Sequence, residues 1–99
     1  MVKAIQFHKT GRPSVLKWEE VKLGRPKKGQ ALVRHTAIGL NYIDTYQRSG
    51  LYPLPMPSGL GGEAAGVVEA VGAGVKHVKV GDRVAYAGGG PGAYSEARI

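Results

Sequence analysis

Apolar and polar residues alternate with a period of two along most of the chain, which is the pattern of half-buried β-strands. Ala31–Ile38 shows this alternation most clearly. The same pattern predicts strands over Lys3–Phe7, Val15–Val21, Ala64–Val71, Arg83–Ala87 and Ala93–Ala97. The 16 glycines and six prolines fall mostly between these segments, where they favour tight turns. Many short strands joined by turns predict a mainly β fold, a partly open β-barrel.

One segment departs from this alternation and predicts a single short helix, over Asn41–Arg48. Its first residue is a favourable N-cap, and Gly50 suits the left-handed position that ends many helices. Asp44 and Arg48 have the i,i+4 spacing of a helical ion pair. The next seven residues after Gly50 hold three prolines, so they are expected to form an extended loop.

Length and composition narrow the class of protein. The chain has 99 residues, enough for one domain with a modest core. It contains no cysteine, which excludes disulfides and thiolate metal ligands. The first residues form no apolar signal segment, and no apolar run approaches the length of a membrane span. We therefore expect a cytoplasmic protein with no membrane partner.

The net charge of +7 is unevenly distributed, because nine of the 14 Lys and Arg residues lie in the first 34 positions. Such a basic region can attract phosphate groups or nucleic acid. These residues are spread over predicted strands and turns, however, and are not interleaved with stacking aromatic residues. A solvated surface is the favoured interpretation, and no nucleic-acid partner is expected.

A nominal dinucleotide-binding pattern occurs at Gly59, Gly61 and Ala64, which match G-x-G-x-x-A. That pattern binds pyrophosphate only where it follows a strand and opens a helix. Here it follows the proline-rich loop and enters a β-branched segment, so we interpret the match as a coincidence.

The histidines do not predict a metal site either. His8, His35 and His77 lie far apart in the sequence, without the spacing of a metal-binding motif. His35 falls on the more apolar face of the strand Ala31–Ile38. It is interpreted as a hydrogen-bonded core residue, and no metal is predicted.

The predicted helix and the loop after it carry the better candidates for a functional site. The amide of Asn41 can donate a hydrogen bond to an oxygen atom, and Tyr42 and Tyr46 lie one helical turn apart. Together with Tyr52, these tyrosines could bind a carbonyl through their hydroxyls or stack on a flat aromatic molecule. The pattern alone leaves a second interpretation open, in which Asn41 only caps the helix and the tyrosines fill a core or an interface.

The stretch Ala37–Pro53 (AIGLNYIDTYQRSGLYP) resembles the quinone oxidoreductase branch, the zeta-crystallin-like enzymes, of the medium-chain dehydrogenase/reductase superfamily. The opening Ile5–His8 and the segment Pro57–Gly61 also resemble that branch. The run Gly59–Gly72, with Val80–Val84, is similar to the barrel segment of the whole superfamily. The resemblance covers essentially the entire chain and implies a GroES-like fold.

The same resemblance implies an enzyme without zinc. Gly62 stands where zinc alcohol dehydrogenases have a ligand histidine, and Asn41 stands where they have a ligand cysteine. Asp44 matches an acid that supports a zinc-ligand histidine in those relatives.

The family reduces quinones with NADPH, and Tyr46 and Tyr52 match tyrosines that line its substrate and nicotinamide cleft. Asn41 lies at the floor of that cleft. The resemblance therefore implies that Asn41, Tyr46 and Tyr52 are catalytic and that Asn41 and Tyr46 contact NADP(H).

Members of this family are much longer than 99 residues. We expect residues 1–99 to be the N-terminal part of the GroES-like catalytic domain, with a Rossmann NADPH-binding domain following it. The parent protein is expected to be a homodimer. The isolated chain is expected to be inactive and to self-associate through open strand edges.

An alternative is a small GroES-like co-chaperonin, a binding protein without enzymatic activity. The length and the glycine-flanked strand Gly66–Gly72 suit that fold. Against it, the chain has no long mobile loop with an apolar tripeptide, and the tyrosine-rich helix would have no use there.

Overall fold

A computed structural model describes residues 1–99. One α-helix, α1 (Tyr42–Ser49), interrupts a succession of strands, and a 3₁₀ turn occupies Pro13–Val15. No helix is long and apolar enough to cross a bilayer. The strands, in chain order, are β1 (Val2–Phe7), β2 (Lys17–Val21), β3 (Ala31–Ile38), β4 (Ser58–Gly59), β5 (Glu63–Val71), β6 (Arg83–Ala87) and β7 (Ala97–Arg98).

The strands form two antiparallel sheets that do not close into one barrel. The first sheet has the order β2-β1-β4, and the second has the order β6-β5-β3-β7. An isolated bridge between Ala4 and Ser95 connects the first sheet to the segment before β7. The prediction of a mainly β, partly open barrel with one short helix is confirmed.

The pairing of β3 with β5 is the longest ladder of the fold. Its register shifts twice, between Leu32 and Val33 and again between His35 and Ala37. At the second shift, Gly66 lies so close to the opposite strand that an added Cβ would stand 2.1 Å from the carbonyl oxygen of Arg34. Only glycine permits this approach, because a backbone carbonyl cannot move aside as a flexible side chain can.

The hydrophobic core is small. Phe7 and Val68 are the largest side chains that are fully buried. Leu60 and Ala93, which lie in other segments of the chain, are also buried. Large apolar side chains are left exposed, including Trp18, Ile38, Leu40, Leu51 and Val80. An open apolar depression of about 450 Å³ lies over part of this surface, lined by Ile5, Trp18, Ile38 and Leu40 among others. The two sheets therefore leave apolar surface in contact with solvent.

Most predicted elements occur where the sequence pattern places them, and β3 and β6 have the predicted bounds. The strand predicted over Ala93–Ala97 is wrong, because only Ala97–Arg98 pairs as a strand. The segment before β7 is divided between the two sheets, since the N–H of Glu96 donates to the carbonyl oxygen of Lys3 in β1 and the carbonyl oxygen of Glu96 accepts from the N–H of His35 in β3. The single hydroxyl proton of Ser95 is directed at the nearby carbonyl oxygens of Gly92 and Ala97. The second predicted strand begins two residues late, at Lys17, because the chain first makes the 3₁₀ turn.

The steric constraint at Gly66 predicts a large effect of a single methyl group. Gly66→Ala should lower the free energy of unfolding by about 1–3 kcal/mol, because the new Cβ meets the backbone of Arg34. Gly62→Ala is the matched control, since an added Cβ there meets nothing within 4 Å. It should change stability by less than about 0.5 kcal/mol. Urea denaturation of both variants measures the difference, and equal losses would contradict this account of the ladder.

Candidate functional site

Helix α1 begins and ends as its flanking residues predict. Asn41 is the N-cap, with extended backbone angles (φ −127°, ψ 152°). Gly50 ends the helix in the left-handed conformation at φ 94°. The backbone N–H of Tyr52 donates to the carbonyl oxygen of Tyr46 at 3.2 Å, so the proline-rich loop starts by folding back on the last turn. These contacts fix both ends of the segment that carries the candidate residues.

The predicted ion pair between Asp44 and Arg48 is wrong. The Arg48 guanidinium instead donates from Nη1 to the carbonyl oxygen of Gly11 at 2.6 Å. The backbone N–H of Gly11 donates to the carbonyl oxygen of Arg48 at 2.9 Å. Arg48 thus holds the C-terminal end of α1 against the connection between β1 and β2.

Asp44 is instead a buried carboxylate with partners of its own, and only 2% of its surface is exposed. Its Oδ2 atom accepts a hydrogen bond from the Tyr94 hydroxyl at 2.5 Å and another from the backbone N–H of Asn41 at 3.1 Å. Local spacing could not predict the first of these contacts, because Tyr94 is 50 residues away in the sequence.

The Tyr94 hydroxyl keeps its proton at any physiological pH and therefore remains a hydrogen-bond donor. Burial raises the pKa of Tyr94 well above its ordinary value, because the phenolate loses solvation. The hydrogen bond to Asp44 raises the pKa of Tyr94 further, since a negative phenolate would face a negative carboxylate. The proton therefore stays on the phenol and the hydrogen bond to Asp44 is retained.

A polar cavity of about 360 Å³ opens at the start of α1. In addition to Asp44, three polar side chains line this cavity, namely those of Asn41, Gln47 and Glu63. The remaining wall is mainly glycine-rich backbone, and its lining residues are Ile43, Gly61, Gly62, Ala87, Gly88, Gly90 and Pro91. The cavity thus presents amide and carboxylate groups next to backbone with little side-chain cover.

The residues of this cavity do not fit a zinc ion. No three His, Asp or Glu side chains converge anywhere in the chain, and there is no cysteine. Oδ2 of Asp44 already accepts two hydrogen bonds, and Asn41 offers only a neutral amide. Zinc sites in proteins are built from several convergent imidazole, thiolate or carboxylate ligands. We therefore derive no chemistry through a metal.

The structure gathers three tyrosines, two of them on helix α1, into one cluster. The rings of Tyr42 and Tyr46 have centroids 5.4 Å apart, and those of Tyr46 and Tyr52 are also 5.4 Å apart in an edge-to-face arrangement. Tyr42 and Tyr52 are largely exposed, at 77% and 50% of their surface. Such rings offer a broad aromatic surface to a ligand.

The predicted site residues thus fall into two adjacent groups. Tyr46 and Tyr52 are brought together, with Tyr42 as a third member, but none of the three lines the polar cavity. Asn41 does line the cavity, and it precedes the first tyrosine of the cluster by one residue. The assignment of catalytic and cofactor-binding roles to Asn41, Tyr46 and Tyr52 stays a prediction.

The run from Gly59 to Ala64 leads from β4 into β5 and opens no helix, so the G-x-G-x-x-A match is a coincidence as predicted.

His35 is half-buried, and both of its ring nitrogens have hydrogen-bond partners. Nδ1 lies 2.8 Å from the Ser95 carbonyl oxygen and Nε2 lies 2.8 Å from the Tyr86 hydroxyl. The hydrogen bonds predicted for His35 are confirmed, but the residue is half-buried rather than part of the core.

Comparison with known proteins shows where this arrangement recurs. The family model of the alcohol dehydrogenase GroES-like domain matches residues 27–98. The quinone oxidoreductase of Pseudomonas aeruginosa is 57% identical over 100% of this chain, and quinone oxidoreductase 1 of Escherichia coli is 56% identical over 96% of it. The matches span 31% and 29% of those two proteins, so the chain covers about a third of its relatives' length.

Solved structures agree with the sequence relatives. A Pseudomonas syringae quinone oxidoreductase superposes with a TM-score of 0.95 at 57% identity, over 99% of this chain and 30% of that one. The Escherichia coli quinone oxidoreductase in complex with NADPH gives a TM-score of 0.93 at 55% identity, over 97% of this chain and 30% of that one. The resemblance to the quinone oxidoreductases and the GroES-like fold are both confirmed. The co-chaperonin alternative gains no support from these relatives.

The donor set of the cavity predicts that the chain purifies without stoichiometric zinc. The 99-residue protein, expressed with zinc in the medium and purified without chelators, should contain only traces of zinc when its metal content is measured by mass spectrometry. The double variant Asn41→Cys, Gly62→His supplies a positive control, because it adds a thiolate and an imidazole where a Cβ at position 62 meets no obstacle. It should retain more zinc than the original chain. One zinc per original chain would contradict the prediction.

Proposed function

The chain belongs to the alcohol dehydrogenase GroES-like domain family, and from this premise we propose that it forms one wall of the active site of a zinc-free, NADPH-dependent quinone oxidoreductase. The observation that carries the proposal is the juxtaposition at the start of α1. There Asn41 lines a cavity without metal ligands, and Tyr42 and Tyr46 of the helix that it caps form an aromatic cluster with Tyr52. The relatives named above, which are quinone oxidoreductases, match the chain over almost all of its length.

The chemistry of these residues suits a quinone. Reduction of a quinone by the hydride of NADPH, or by its two electrons and one proton, gives NADP⁺ and a hydroquinone monoanion, whose negative oxygen then takes a proton from solvent. The quinone is already electrophilic. A hydrogen-bond donor held at that oxygen stabilises the developing charge by about 2–4 kcal/mol. We assign this role to the Asn41 amide and to the hydroxyls of Tyr46 and Tyr52. A single exposed ring of the tyrosine cluster, such as that of Tyr52, supplies a flat face on which the quinone stacks.

The nicotinamide end of the cofactor is proposed to contact Asn41 and Tyr46. The phosphate groups need a different place, because the glycine run before β5 opens no helix N-terminus that could hold a pyrophosphate. We propose that a Rossmann domain, within the two thirds of the relatives that this chain does not match, binds them. In the same proposal the protein acts in the cytoplasm, as a homodimer.

This division of labour predicts weak cofactor binding by the 99-residue chain alone. Isothermal titration with NADPH should show at most weak binding, which disappears as salt screens the net charge of +7. Tight binding that resists salt would place the phosphate site within these residues and contradict the proposal.

The activity is tested in a hybrid protein, in which these 99 residues replace the matching segment of the Pseudomonas aeruginosa quinone oxidoreductase. The hybrid should reduce quinones with NADPH. If a tyrosine hydroxyl donates to the reacting oxygen, Tyr46→Phe or Tyr52→Phe should lower kcat and kcat/KM together by about tenfold or more. If the ring only stacks, the Phe variant should be nearly silent and the Ala variant should raise the KM for quinone.

Asn41 needs a control for its place at the helix N-cap, where a poor residue costs about 1 kcal/mol of stability. Asn41→Ser keeps an oxygen suited to capping and shortens the reach into the cavity. It should fold normally and lose turnover. A folded, NADPH-binding hybrid that reduces no quinone would contradict the proposed function. Full activity in Tyr46→Ala, Tyr52→Ala and Asn41→Ser would contradict the assignment of the site.

A further inference from the structure

We propose that Tyr94 is a positioning residue of this site, and that it acts through Asp44 to hold the backbone of Asn41 in place. The inference rests on the proposed function for its catalytic consequence, and on geometry alone for the contact itself. The path has two hydrogen bonds, from the Tyr94 hydroxyl to Oδ2 of Asp44 and from the Asn41 backbone N–H to the same oxygen atom.

Tyr94 is itself rigidly attached to the barrel. Its backbone N–H donates to the carbonyl oxygen of Leu60 at 2.9 Å, and its carbonyl oxygen accepts from the N–H of Ile5 at 2.8 Å. Its ring lies directly against Gly61, where an added Cβ would be 2.4 Å from Cδ1 of the ring. Gly61 also has a φ of 96°, so both its conformation and the ring require glycine. The hydroxyl therefore has a fixed position relative to the sheets.

Asp44 transmits that position to the helix. It lies in the first turn of α1, and a buried carboxylate must be satisfied by hydrogen bonds. Both recorded donors share one oxygen, and one belongs to the barrel while the other belongs to the helix N-cap. Removal of the Tyr94 hydroxyl leaves this carboxylate bound only to the helix that it is meant to hold.

The other end of α1 has its own attachment, from Arg48 to Gly11. The loss of the Tyr94 hydroxyl should therefore loosen the start of the helix and leave its end in place. Asn41 is at the start, on the wall of the cavity. A donor displaced by about 1 Å can lower a rate by about 100-fold, so a modest loosening is enough to reduce turnover.

Hydrogen exchange in the 99-residue chain tests the contact without any activity. Tyr94→Phe should speed exchange of the Asn41 and Asp44 amides at least about threefold, because their first-turn hydrogen bonds open more often. Amides of the β3–β5 ladder should be unchanged. Tyr86→Phe is the matched control, since it also removes a half-buried, hydrogen-bonded hydroxyl, which faces His35 rather than the helix. It should leave the Asn41 amide as it was.

Kinetics in the hybrid protein test the consequence. Tyr94→Phe should lower kcat by about tenfold with less than a twofold change in the KM for NADPH, and Tyr86→Phe should not. Asp44→Asn keeps an oxygen that can accept from Tyr94, so it should retain more activity than Asp44→Ala. The double variant Tyr94→Phe, Asp44→Ala should have the same kcat as Asp44→Ala, because both substitutions interrupt the same pair of hydrogen bonds.

Several outcomes would overturn the proposal. These are wild-type exchange at Asn41 in Tyr94→Phe, loss of protection spread evenly over both sheets, or an original chain with no protected amides at all. An effect of Tyr86→Phe equal to that of Tyr94→Phe would also overturn it. If the hybrid without substitutions reduces no quinone while Tyr94→Phe still speeds exchange at Asn41, the quinone function fails and the positioning contact stands.

Discussion

The close approach of β3 and β5 at Gly66 is the constraint on which the rest of the structure depends. Strand β3 pairs with β5 on one side and with β7 on the other, and β6 is attached through β5. The bulge next to Gly66 lies between His35 and Ala37, and the ring of His35 reaches the carbonyl of Ser95 and the hydroxyl of Tyr86. One short part of β3 thus connects the central ladder, the last segment of the chain and β6. A side chain at position 66 would strain all of these connections at once.

The same ladder determines where the helix begins. Beyond the end of β3, the N–H of Gly39 still donates to the carbonyl oxygen of Glu63, so the pairing continues toward the helix. A Cβ at Gly39 would lie 2.1 Å from the Glu63 carboxylate, which means that the Glu63 side chain packs across the backbone there. Asn41 follows two residues later as the N-cap. The position of the candidate site is therefore inherited from strand pairing, and the contacts of Asp44 refine it.

Local patterns predicted the parts of this protein that local interactions determine. The bounds of β3, the N-cap at Asn41 and the left-handed Gly50 all follow from alternation and from backbone preference within a few residues. The contact between Asp44 and Tyr94 could not be predicted in that way, because it joins residues that only the folded sheets bring together. Helical spacing suggested Arg48 as the partner of Asp44, but burial of the carboxylate made the distant phenol the available donor. The strand predicted at Ala93–Ala97 failed for a related reason, since this segment bonds to both sheets, with Glu96 joined to Lys3 of β1 and to His35 of β3.

The glycines around the cavity separate what the fold requires from what the chemistry requires. Gly61 is required by its positive φ and by the Tyr94 ring, and Gly66 by the Arg34 carbonyl. Gly62 has an ordinary backbone conformation, and an added Cβ would meet nothing within 4 Å. A methyl group at position 62 would therefore meet no obstacle. Asp44 is already satisfied by a phenol and a backbone N–H. The buried carboxylate thus has a structural task that needs no metal, because it joins the helix N-cap to the segment before β7.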